Sequence, residues 1–168
     1  PLLVVVGTAE PAAAAQIEAL RALGAHHVVL PTGALASGLV SLPVPAPDGI
    51  TVVSIDGAAG IVPGAARALA AGLARAVASV PVPADLVLTG GETARRVLDA
   101  LGVGELAPHG QIHHGAVRAT APDGRTVVTR PGSYGGTDSL LTIVRALRPA
   151  AAGAPAGVSR PAPSGEPS

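Results

Sequence analysis

The sequence contains no cysteine, phenylalanine, tryptophan or methionine, and Tyr134 is its single aromatic residue. It contains no lysine either, so its 11 basic residues are all arginine. Each absence removes a class of chemistry. Without cysteine there are no disulfides, thiolate metal sites or cysteine nucleophiles. One aromatic ring cannot provide successive platforms for stacked bases, and it leaves the interior to Val, Leu, Ile and Ala. Without lysine there is no GxxxxGK[ST] phosphate loop. The GxGxxG dinucleotide fingerprint and the GxSxG nucleophile elbow are missing as well.

Charge is scarce too. Charged residues make up 13% of the chain, and 11 arginines balance 11 acidic residues. A surface for nucleic acid or anionic membrane calls for a basic excess, so neither partner is expected. Apolar runs stop well short of the roughly 18 residues of a spanning helix. The opening Pro1–Val6 has no basic flank and reads as a core strand rather than a signal peptide. These features point to a cytoplasmic protein, and a chain that opens on a core strand reads as an excised domain. The 5 histidines have no cysteine or carboxylate at ligand spacing, so no metal-binding residues are expected.

What remains is 168 residues rich in Gly, Ala and Pro, enough for one domain with a substantial core. Strands are predicted at Leu2–Val6, Val28–Leu30, Thr51–Ile55 and Asp85–Thr89. Helices are predicted from Pro11 to about Leu23, over Gly64–Val80, and over Thr93–Leu101. This alternation implies an α/β fold with a mostly parallel sheet flanked by helices. Ile112–Thr120 and Thr126–Arg130 read as a C-terminal β-hairpin around Pro122–Arg125. Asp138 reads as the cap of a final helix, Ser139–Leu147. Residues 1–148 form the expected domain. Residues 149–168, all Ala, Gly, Pro, Ser and a few others with nothing to bury, read as a disordered tail.

Two glycine-rich turns each follow a strand and precede a helix. The first is Thr89-Gly90-Gly91-Glu92-Thr93. Its glycines open the backbone, the helix start presents unpaired amides, and the threonine hydroxyls are candidate donors to phosphate. Glu92 suits a water, a ribose hydroxyl or a hydrated magnesium. The second, Arg130–Thr137, adds a guanidinium that can pair with phosphate, and Gly132, Gly135 and Gly136 keep the backbone open around Tyr134. Gly7-Thr8 is a third, weaker loop of the same kind. From pattern alone these segments also read as plain tight turns, with Glu92 a favourable first-turn acid.

LVLTGGETARRVLDALGV together with VVTRPGSYGGTDSLLTIV resembles the C-terminal nucleotide-binding domain of the four-carbon acid sugar kinases, which include threonate and erythronate kinases. The resemblance runs over about Leu2–Leu147. It implies ATP and Mg²⁺ as cofactors and a four-carbon sugar acid, bound mostly by an absent N-terminal domain, as the acceptor. By the family's motifs, Thr8, Gly90, Gly91, Glu92, Thr93, Arg130, Gly132, Ser133 and Gly135 bind nucleotide, and Gln16 matches a glutamine that follows the first loop. Thr8 stands for a usual Ser, Arg130 for Lys, Tyr134 for Phe and Gln111 for Glu. No general base emerges, so the catalytic residues stay unassigned. A homodimer is compatible with the sequence. The alternative reading is a non-catalytic remnant that acts as a nucleotide-binding or protein-interaction module.

Overall fold

The computed structural model describes residues 1–8, 11–57, 64–132 and 135–149. Ser133, Tyr134 and residues 150–168, on which part of the second turn and the predicted tail fall, lie outside the described residues. In chain order the elements are β1 (Leu2–Val6), α1 (Pro11–Ala22), β2 (His26–Leu30), α2 (Thr32–Ser37), β3 (Ile50–Ile55) and α3 (Ala66–Ala78). There follow β4 (Asp85–Thr89), α4 (Gly91–Ala100), β5 (Ala107–His113), β6 (Ala116–Thr120), β7 (Thr126–Arg130) and α5 (Ser139–Leu147). The strands form one sheet in the order β2-β3-β1-β4-β7-β6-β5. Pairings from β2 through β7 are parallel, and β7-β6-β5 form an antiparallel meander. The predicted α/β class and hairpin are therefore present.

β1 is buried on both faces, as a central strand of a covered parallel sheet must be. Its alternate side chains feed two cores. Leu3 and Val5 pack with Leu35 of α2, Leu69, Leu73 and Val77 of α3, and Val97 of α4. Leu2, Val4 and Val6 pack with Ile17 and Leu20 of α1 and with Leu140, Ile143 and Val144 of α5. Thus α1 and α5 cover one face while α2, α3 and α4 cover the other.

Four expectations change. The second strand starts at His26, and α2 lies inside Pro31–Gly49, where no regular element is predicted. The segment predicted as one strand from Ile112 breaks at His114-Gly115, with Gly115 at φ 82°, so the hairpin gains a third strand, β5. Asp138 sits at the start of α5, but its side chain makes no capping hydrogen bond; its carbonyl accepts from Thr142 N–H at 2.8 Å.

Candidate phosphate-binding crevice

β1 and β4 are parallel neighbours, Val6 lying beside Thr89. The chain leaves β1 toward α1 on one face and leaves β4 toward α4 on the other. Such a divergence opens a crevice at the carboxyl ends of the two strands, where open α/β sheets take ligands. Gly7-Thr8 and Gly90-Gly91 are its two lips. From β7, on the other side of β4, comes the turn containing Gly132.

The glycines here are there for steric reasons. A Cβ on Gly7 would collide with the Thr93 hydroxyl, so α4 packs directly on the β1 loop. Gly90 has φ 89°, a left-handed conformation that suits glycine, and its N–H donates to the Arg130 carbonyl at 2.9 Å. A Cβ on Gly132 would lie 3.6 Å from Gly90 Cα and 4.0 Å from the Thr8 methyl, so the three turns converge on one point. The first intrahelical bond of α4 is Ala94 N–H to the Gly90 carbonyl, 2.9 Å. The amides of Gly91, Glu92 and Thr93 precede it, at the positive end of the helix dipole.

Not every predicted donor faces this crevice. Thr89 is buried, and its hydroxyl donates to the Val5 carbonyl at 3.2 Å, tying β4 to β1 instead of reaching a ligand. Glu92 stands in the first turn of α4, where it accepts from Arg96 Nε at 2.6 Å. Gly135 has φ 93°, and a Cβ on it would meet Ser139 Oγ at 2.6 Å, so it closes the second turn onto α5.

Arg130 departs most from the sequence expectation. It shares a strand face with Val128, which belongs to the core under α1 and α5, so its side chain turns inward and is 3% exposed. Nη2 donates to Gln16 Oε1 at 2.8 Å and Nη1 to Ser139 Oγ at 3.0 Å. Burial pushes its pKa down. Ser139 Oγ lies 3.0 Å from His113 Nε2, and His113 Nδ1 donates to the His114 carbonyl at 3.0 Å. With His113 as that neutral tautomer, every bond in the chain from Arg130 to His114 runs in one direction. Gln16, 2% exposed, is held inside this chain rather than at the crevice. Sequence reasoning missed the arrangement. Its signal was a polar residue on the apolar face that Ala13, Ile17 and Leu20 define on α1.

This is an α/β domain with a crevice at the point where its strand connections diverge. The chain belongs to the family of nucleotide-binding C-terminal domains, whose sequence model matches residues 46–140, more than half of its length. No curated protein matches it significantly. Among solved structures it is similar to a Bordetella bronchiseptica protein of a domain family of unknown function (DUF1537), crystallised as a domain-swapped dimer with bound citrate. The two are 28% identical over 88% of this chain and 41% of that one, with a TM-score of 0.65. A Haemophilus influenzae DUF1537 protein is 19% identical over 84% of this chain and 38% of that one, TM-score 0.61. A Salmonella typhimurium LT2 protein is 16% identical over 86% and 40%, TM-score 0.67. The last two likenesses speak for the fold alone. The chain spans about two fifths of the length of these structures.

Proposed function

We propose that this chain is the ATP-binding portion of a kinase that phosphorylates a hydroxyl of a four-carbon sugar acid such as threonate or erythronate. The convergence of Thr8, Gly90 and Gly132 where the β1 and β4 connections diverge carries this reading. Membership of a nucleotide-binding family and the resemblance of both turns to the sugar-acid kinases support it.

Bound here with Mg²⁺, ATP supplies the phosphoryl group, and the chain's own residues hold it. The amides of Gly91, Glu92 and Thr93 face negative charge with the α4 dipole behind them. The Thr8 hydroxyl serves the opposite lip, and Gly132 keeps the third wall free of a side chain. Glu92, steadied by Arg96, suits the waters of a hydrated magnesium. Arg130 acts from beneath: it anchors the turn and adds positive charge in a poorly screened interior.

Phosphoryl transfer depends mainly on positioning and charge stabilisation, with the acceptor in line. Among the described residues, no side chain of the crevice is placed as a general base. We assign the acceptor pocket to the part of the longer relatives that this chain does not span. By itself the chain then binds Mg-ADP weakly and transfers little phosphate. Titration calorimetry checks this. Saturable heat at submillimolar to millimolar Mg-ADP is expected, and no heat at millimolar nucleotide sinks the reading. Robust threonate phosphorylation by the chain alone would overturn the placement of the acceptor pocket elsewhere.

A further inference from the structure

Four elements meet at the Arg130 guanidinium. Arg130 closes β7, Gln16 lies in the middle of α1, Ser139 opens α5 and His113 closes β5. Gln16, Arg130 and Ser139 are each at most 3% exposed, beside a core made of Leu, Val, Ile and Ala. Apolar side chains would fill that space without the cost of burying polar groups. What the polar ones add is direction.

A serine hydroxyl has one proton to give and two lone pairs. Ser139 Oγ accepts from Arg130 Nη1 at 3.0 Å and lies 3.0 Å from His113 Nε2. The His113 ring is held through Nδ1–H on the His114 carbonyl, so the hydroxyl proton goes to Nε2 and a lone pair faces the guanidinium. Gln16 Oε1 takes Nη2 at 2.8 Å, which gives each arm of the fork its own acceptor. A guanidinium held at both arms has its plane fixed, whereas a lysine ammonium is a point charge with rotatable donors. Both glycine turns hang on this residue. The Arg130 carbonyl accepts from Gly90 N–H at 2.9 Å, and Pro131-Gly132 lead directly into the second turn. Where that turn returns, a Cβ on Gly135 would lie 3.3 Å from Arg130 Nη1 and 2.6 Å from Ser139 Oγ. The bond between Arg130 and Ser139 therefore pins both ends of the turn.

We propose that His113 and Ser139 are positioning residues of the phosphate cradle. His113 orients the Ser139 hydroxyl, Ser139 and Gln16 fix the Arg130 fork, and Arg130 sets Gly90, Gly132 and Gly135 in the arrangement that takes phosphate. His113 and Ser139 act through Arg130 and not on the ligand itself. The inference rests on the phosphate reading of the crevice.

The test titrates the full chain with Mg-ADP, well below the melting temperature of every protein compared. Ser139→Ala and His113→Leu each break the chain of bonds and are expected to weaken Mg-ADP about fivefold or more, the value of one lost hydrogen bond. His113→Gln keeps an acceptor for the Ser139 hydroxyl and should recover affinity to within about twofold of the parent. In an Arg130→Lys background there is no fork to orient, so adding His113→Leu should change affinity by less than about twofold. A purely structural role would lower the melting temperature and leave the affinity of the folded protein alone. Unchanged Mg-ADP affinity in Ser139→Ala and His113→Leu therefore overturns the inference and leaves the phosphate reading standing. A loss that His113→Gln does not recover, or that persists in full beside Arg130→Lys, also overturns it, because His113 would then act by another route. A parent chain that takes up no Mg-ADP overturns both readings. Ser139→Ala keeps the test decisive if His113→Leu fails to fold.

Discussion

Gly7 has no room for a methyl group, because Thr93 of α4 occupies the direction its Cβ would take. Gly7→Ala should therefore destabilise the fold by about 1–3 kcal/mol, the usual cost of overpacking. The double variant with Thr93→Ala should recover part of that loss, since it removes the hydroxyl and methyl but keeps the Thr93 Cβ at 2.9 Å. Denaturant melts of the four proteins in this cycle measure the coupling, and additive losses would deny the contact. His27 gives a second prediction at this scale. Its folded pKa lies below 6.5, so the unfolded chain takes up the proton first as pH falls. Its contribution is complete above about 6.5 and is lost as pH drops toward the folded value. The melting temperature should fall from about pH 7.5 to 5.5 more steeply in the parent than in His27→Gln. Equal slopes would show that His27 does not titrate as described. The candidate site was partly legible at this scale. That Gly90, Gly91 and Gly132 stand in tight turns at strand ends could be read from the glycines that follow each apolar run, a pattern that fits a plain turn as well as a ligand loop. Arg130 was not, because which face a strand-end side chain takes depends on register, and its partners Gln16 and Ser139 are 114 and 9 residues away.

At the scale of elements, α3 and α2 approach so closely that Gly72 lies against the Leu35 carbonyl, and a Cβ there would come within 2.8 Å of the Leu35 carbonyl carbon. Two effects compete in Gly72→Ala. Alanine gains about 1 kcal/mol of helix propensity in mid-helix. Overpacking against rigid backbone costs about 1–3 kcal/mol. The second should win, giving a net destabilisation of up to about 2 kcal/mol by thermal or denaturant melting; a stabilised variant would mean that α2 yields. The same short helix shows why the sequence is silent in places. α2 has six residues, too few for an apolar period to repeat, and sits among prolines and glycines. β5 is mostly exposed at the sheet edge, so it lacks the alternation that marks a half-buried strand. By contrast β1, β3 and β4 were legible because burial on both faces leaves continuous apolar runs. The helices α3 and α5 were legible because each buries one apolar stripe.

For the molecule as a whole, the strand order decides where a ligand can go. Helices on opposite faces after β1 and β4 put the Gly7 and Gly90 turns at one crevice, although the sequence separates them by half the chain. The base of the fold is closed by Arg148, whose Nη2 donates to Asp85 Oδ2 at 2.8 Å, while Asp85 Oδ1 accepts from Thr126 N–H at 2.7 Å. The three glycine turns lie at the opposite, carboxyl end of the sheet. If those three turns form one phosphate cradle, backbone amide shifts on adding Mg-ADP to labelled protein will reveal it. The largest shifts should fall at Gly7, Thr8, Gly91–Thr93 and Gly132, with the Asp85–Arg148 end unmoved. Shifts concentrated away from these three turns, or none at millimolar Mg-ADP, would contradict it.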